Sequence, residues 1–312
     1  MKGLELSRQY FNEKALPRLK TDFPEIFPRL AAGLVGNGSE CFGYDDEASR
    51  DHDWGADFFI WVTESDRPSI LRLSQWKREL MEHDDPPEFS RLQSMHGAQI
   101  GVMTCGDFYK SLIGTAERPV ELIKWLRIPE ENLAMAVNGD VFIDNAGEFT
   151  AVRESLLRHY PEDVRLKKIA AKCMAIAQTG QYNHMRMAAR GEFVVVHTVI
   201  SKFIEQVTGL VFLLNRVYKP YYKWSHRMLL TLPLLGADIG SLIEELVMTT
   251  GYDEKALDQQ QSIIRKICLM LTDELRKQRL SSAVDWFLAR HGESVQSKIS
   301  DPFLRSLPAQ FE

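Results

Sequence analysis

The chain has 312 residues, 45% of them hydrophobic and 26% charged, with a formal net charge of −5. This length suits one large domain or two ordinary ones, and the composition supports a folded core, which excludes a disordered chain. The acidic balance leaves no general basic footprint, so binding along long nucleic acid is not expected.

Cys41, Cys105, Cys173 and Cys268 stand far apart, without the paired spacing of zinc or redox sites. Dispersed cysteines of this kind fit buried apolar positions in a reducing compartment. The opening residues, Met1-Lys2-Gly3-Leu4-Glu5, lack an apolar signal core. The most apolar stretch, residues 193–217, carries Lys202, Glu205 and Gln206 in its middle. Charges at that depth are costly in a bilayer, so a buried helix is expected, with a cytoplasmic location and no membrane partner.

In chain order, Leu34-Val35-Gly36 and residues 58–62, 99–104 and 141–143 read as strands, being short apolar runs bounded by turn chemistry. Residues 68–81 and 119–126 between them read as helices. After residue 150 the period becomes helical throughout. Val196, Ile200, Phe203, Val207, Leu210, Leu214 and Val217 form one stripe, which Pro220 is expected to stop. Ile264, Ile267, Leu271 and Leu275 form another. The expectation is an α+β protein with a mixed-sheet domain over residues 1–150, followed by an all-α helical bundle over residues 151–312.

The segment that carries chemistry runs from Val35-Gly36-Asn37-Gly38-Ser39 to Ser49-Arg50-Asp51-His52-Asp53-Trp54-Gly55. A strand that ends in a glycine-serine turn presents backbone N–H groups to phosphate oxygens, and the Ser39 hydroxyl adds a contact. Asp51 and Asp53, as residues i and i+2 of an extended segment, would project to one side. Two carboxylates held so can bind a hard cation such as Mg²⁺ against a nucleoside triphosphate. Gly-Ser or Asp-x-Asp alone is commonplace and fits a solvated turn. Their order and spacing beside an apolar strand make the signal specific.

These residues resemble the signature of the nucleotidyltransferase superfamily that includes DNA polymerase beta and the aminoglycoside nucleotidyltransferases. The likeness is closer to a bacterial domain family of unknown function within it. It rests on residues 49–55, on Gly139-Asp140-Val141-Phe142-Ile143-Asp144, and on the segment from Leu213 to Trp224. The resemblance implies a mixed-sheet catalytic domain followed by helices, with Mg²⁺ as cofactor and a nucleoside triphosphate as partner. It further implies transfer of a nucleoside monophosphate to a hydroxyl of a small-molecule or macromolecular acceptor, whose identity the sequence does not give. Gly38 and Ser39 would bind nucleotide, and Asp51 and Asp53 would hold metal.

The family pattern usually includes a third carboxylate on a later strand, and the best-placed strand, residues 99–104, holds no acid. Asp107, Asp144 and Asp57 are the substitutes considered. A catalytically silent nucleotide-binding module is the alternative that this departure motivates. Lys219 and Lys223, in a basic and aromatic cluster with Arg216, Tyr218, Tyr222 and Trp224, are candidates for the triphosphate. A helix end with packed aromatics is the other reading of that cluster. Two further patterns fail. Gly36-x-Gly38 continues to Cys41 where a dinucleotide loop needs glycine, and Arg290-His291-Gly292-Glu293 follows a helix where a histidine phosphatase needs a strand.

Overall fold

The computed structural model describes residues 1–51, 55–83 and 101–312, and it is an α+β protein. Four strands, β1 (Ala31–Leu34), β2 (Phe59–Val62), β3 (Val102–Thr104) and β4 (Asp140–Asp144), form one sheet in the order β3-β2-β1-β4. β1 pairs antiparallel with both β2 and β4, and β2 pairs parallel with β3.

Every residue of β1 and β2 is buried because both faces of the sheet are covered. On one face lie α1 (Gly3–Tyr10), which continues through a π-turn at Phe11–Ala15 into α2 (Leu16–Asp22), and α3 (Ile70–His83). Phe11, Leu19, Phe23, Leu73 and Leu80 pack there with Ala32, Phe58, Ile60 and Val62 in one cluster. The other face is aromatic. Trp61 stacks on Phe149 at 3.9 Å and meets Phe108 edge-on at 5.3 Å. Phe108 comes from α4 (Cys105–Ile113), and Phe149 from the helix that follows β4. Each such ring removes a large apolar area from water, roughly 150–250 Å².

β1 starts three residues before the expected strand and ends before Gly36. Its Ala-Ala-Gly sequence has little intrinsic strand preference, and its small side chains serve close approach instead. A Cβ on Gly33 would stand 2.4 Å from the Asp140 carbonyl oxygen.

The chain divides into two compact units, the first comprising residues 1–119 and 128–158 and the second residues 120–127 and 159–312. The short helix α5 (Leu122–Leu126) belongs to the second unit, whereas α6 (Glu130–Val137) and α7 (Glu148–Leu157), which supplies Phe149, belong to the first. α7 stays with the sheet because Phe149 and Leu156 are fully buried there.

The second unit is helical: α8 (Glu162–Ile176), α9 (His184–Ala188), α10 (Phe193–Asn215), α11 (Tyr222–Leu229), α12 (Gly236–Met248), α13 (Glu254–Lys277), α14 (Leu288–Gln296) and α15 (Pro302–Ser306). Among the described residues α10 is the one helix long and apolar enough to cross a membrane. Val196, Phe203, Val207, Leu210 and Leu214 of the expected stripe are buried in the core of this unit. The helix stops at Asn215, earlier than Pro220 requires. Arg216 takes a left-handed conformation there (φ 54°), and the Val217 N–H closes back on the Phe212 carbonyl. All four cysteines are free and buried.

Candidate functional site

β1 runs straight into the bend that holds Gly38 and Ser39. Gly36 and Gly38 have φ of 114° and 124°, values that side chains resist, so glycine is required at both. Gly36 is buried, while Asn37 is exposed and Gly38 and Ser39 are partly exposed. The Phe42 and Tyr44 N–H groups donate back to the Ser39 carbonyl and turn the chain after the bend. Among the described residues, no acceptor meets the N–H groups of Asn37, Gly38 or Ser39. Backbone donors of this kind on a glycine-rich bend are what an anionic oxygen would engage.

The segment leading to Asp51 is anchored by α1. The Gly3 N–H donates to Asp45 Oδ2 at 2.8 Å. Ser7 Oγ donates to the Gly55 carbonyl and accepts from the Asp57 N–H, both at 3.2 Å. One helix thus pins residues 45 and 55–57, on either side of the Asp51-His52-Asp53 triplet. Asp51 closes a 3₁₀ turn, Glu47–Asp51, which the Asp46 and Ser49 side chains cap by reciprocal bonds at 3.1 and 3.2 Å. This turn replaces the extended segment expected at Asp51, because Asp46 offers the backbone a local partner that a strand would lack. Asp53 lies outside the described residues.

The strand register sorts the remaining acids. Leu34, the last residue before the bend, pairs with Asp140, whereas Ala31 pairs with Asp144. Three residues of strand, about 10 Å, separate those two levels. Thr104 pairs with Val62 at the Asp144 end, so Asp107, one turn further on, also lies away from the bend. Both substitutes are engaged where they stand. Asp144 caps the start of α7, accepting from the Gly147 N–H at 2.9 Å and the Thr150 N–H at 2.7 Å. Asp107 meets Arg67 at 2.8 Å, and that hydrogen-bonded guanidinium holds its carboxyl below the usual range. Asp57 is 1% exposed and bonds to the equally buried Lys77. The register sets the level of each acid along the sheet. Asp107 and Asp144 stand at the end of the sheet away from the bend, and the β4 acid beside the bend is Asp140.

Asp140 lies in the Gly139–Asp144 block of the sequence resemblance, one residue before the strand expected at 141–143. It is ion-paired with Arg8 of α1, next to the Ser7 that holds Gly55 and Asp57. The bend and Asp140 lie at one end of the sheet in the first unit, where Leu34 pairs with Asp140. Lys219 and Lys223 belong to the second unit. Lys219 is half-buried between α10 and α11, and Lys223 is exposed on the first turn of α11 beside the Tyr221–Tyr222 ring pair, whose centroids are 4.4 Å apart. His291, in the rejected phosphatase pattern, is buried with Nε2 at 2.8 Å from the Asp285 carbonyl, a structural position.

A family model described as "Domain of unknown function (DUF4037)" matches residues 125–225. Two of the three blocks behind the sequence resemblance, 139–144 and 213–224, fall inside that match, and 49–55 falls outside it. A comparison with curated proteins gives no match. Among solved structures, the chain is similar to a nucleotidyltransferase-like protein from Exiguobacterium sibiricum 255-15, at 14% identity over 96% of this chain and 90% of that one, with a TM-score of 0.37.

Proposed function

We propose that the first unit binds a nucleoside triphosphate with Mg²⁺ and transfers its nucleoside monophosphate to an acceptor hydroxyl. The observation that carries this reading is the bend after β1, where among the described residues the Asn37, Gly38 and Ser39 N–H groups meet no acceptor, beside a strand bearing Asp140. The bend would hold the phosphates through those donors and the Ser39 hydroxyl. Asp51, Asp53 and Asp140 are the oxygen donors that would hold Mg²⁺, and hard cations favour that ligand chemistry. When bound there the ion neutralises charge at the α-phosphate. The acceptor oxygen forms the new bond to the α-phosphorus, the bond to pyrophosphate breaks, and the hydroxyl proton passes to a carboxylate oxygen, for which Asp140 is the candidate.

A catalytically silent binding module is the second reading, favoured by the ion pair that engages Asp140 with Arg8. Two measurements separate these readings. A triphosphate that binds the native state raises the melting temperature by mass action, so ATP, GTP, CTP and UTP with Mg²⁺ should include at least one that stabilises the wild type. Release of pyrophosphate that disappears in Asp53→Ala supports the enzyme, and stabilisation without pyrophosphate supports the module. No melting shift with any of the four rejects both.

A further inference from the structure

The bend is fastened from behind by residues outside the Gly-Ser and Asp-x-Asp pattern. Asn138 follows α6, and its side-chain amide pairs with the Gly36 peptide at two points. Oδ1 accepts from the Gly36 N–H at 2.8 Å, and Nδ2 donates to the Gly36 carbonyl at 2.7 Å. The next residue, Gly139, donates its N–H to the Cys41 carbonyl at 2.8 Å. The bend is thus held at both ends, leaving Asn37, Gly38 and Ser39 between. Arg153 of α7 in turn fixes the fastening, with Nη1 donating to the Asn138 carbonyl at 2.6 Å and Nη2 to the Gly139 carbonyl at 3.3 Å.

Two glycines in conformations other residues avoid are costly to order, since glycine loses more freedom than any other residue. A binding loop that is already ordered avoids that loss when ligand arrives. We infer that Asn138 is a positioning residue for polyphosphate binding, setting the Gly36 peptide so that the three following N–H groups converge on the phosphates, and that Arg153 holds Asn138 in place. This rests on the phosphate reading of the bend. It assigns a role to the far side of the loop, where no residue would touch the ligand.

The test titrates the full-length protein with Mg·tripolyphosphate and with Mg·ATP by calorimetry, alongside ligand-free melting. Asn138→Ala is compared with Asn145→Ala, which removes a side-chain bond to the Phe27 carbonyl (2.6 Å) at the opposite end of the same sheet. The expected result is at least a tenfold loss of affinity for both ligands in Asn138→Ala, with wild-type affinity in Asn145→Ala. Arg153→Lys, which keeps the charge but not the forked geometry, should show a smaller loss in the same direction. Wild-type affinity in Asn138→Ala overturns the inference while leaving the nucleotide reading intact. Equal losses in Asn138→Ala and Asn145→Ala overturn it too, since they mark a general structural effect. Absence of binding by the wild type overturns the nucleotide reading and the inference together. Should Asn138→Ala lack a melting transition, Asn138→Ser decides by the same comparison.

Discussion

Lys77 and Asp57 form an ion pair at 2.7 Å in which each side chain is 1% exposed. Lys77 also donates to the Phe58 carbonyl, and Asp57 Oδ1 accepts from the Phe58 N–H at 2.6 Å. The pair fastens α3 to the start of β2, one step from the Gly55–Asp57 anchor held by Ser7. Taking one member of a buried pair away leaves an uncompensated charge, which costs about 3–5 kcal/mol. Lys77→Met should therefore lower unfolding free energy by about that amount in urea titrations. A loss under about 1 kcal/mol would show that water reaches the pair.

A pH dependence follows from His159. It is 2% exposed, and its ring stacks on Tyr218 at 4.7 Å. Burial, reinforced by Arg165 and Arg216, pushes its pKa down from 6.5 to about 3. Between those two values the unfolded chain holds the proton and the folded chain does not. Stability is then fully present above pH 6.5 and falls as pH drops toward 3. At pH 5 the loss from this group is on the order of 2 kcal/mol. His159→Phe keeps a ring against Tyr218 and removes the titration, so its drop in stability from pH 7 to pH 5 should be smaller by about that amount. Parallel pH curves for variant and wild type would mean that His159 is protonated inside the fold.

Gly139 marks where β4 meets the bend. Its φ is 59°, and a Cβ there would lie 2.0 Å from the Leu34 carbonyl oxygen and 2.9 Å from the Val35 Cα. Neither neighbour can swing aside, because both atoms belong to the backbone. Gly139→Ala should separate the start of β4 from β1, at a cost of at least 1–3 kcal/mol, roughly that of a strained backbone position. Thermal melting checks this against Gly147→Ala, where φ is also positive (74°) but nothing lies within 4 Å of the added atom. An equal change in the two variants would assign the effect to φ alone, without the close approach.

These positions also show what the residues announce and what they conceal. The run Phe58-Phe59-Ile60-Trp61-Val62 declares a strand because five apolar residues in a row have to be buried on both faces, and the structure buries all of them. The α10 stripe is legible for the same reason. Ala31-Ala32-Gly33 gives no such signal, since its function is to be small. The end of α10 was concealed because a left-handed Arg216 is set by tertiary packing, whereas Pro220 is visible in the letters. The bend itself was readable from Gly36-x-Gly38-Ser39. The acid beside it was not, because pairing Leu34 with Asp140 joins residues far apart in the chain, and only the register separates Asp140 from Asp144. Gly139 was the available clue, a glycine placed for close backbone approach immediately before the acid.

The register gives the site its sharpest prediction. If Asp140 accepts the proton or holds the ion, Asp140→Asn should lower pyrophosphate release by about 100-fold or more, the usual scale for a general base. Asp144→Asn and Asp107→Asn should stay within a few-fold of the wild type, because both lie about 10 Å or more along the strands from the level of the bend. Their effects should appear in stability instead, since Asp144 accepts two backbone N–H groups at the start of α7 and Asp107 pairs with Arg67. Asp140 is also the partner of Arg8, so Arg8→Gln serves as the control that breaks the ion pair and keeps the acid. Near-wild-type turnover in Arg8→Gln together with loss in Asp140→Asn locates the chemistry in the carboxylate. Equal loss in both would reduce Asp140 to an anchor for α1, and loss in Asp144→Asn but not in Asp140→Asn would return the site to the opposite end of the sheet.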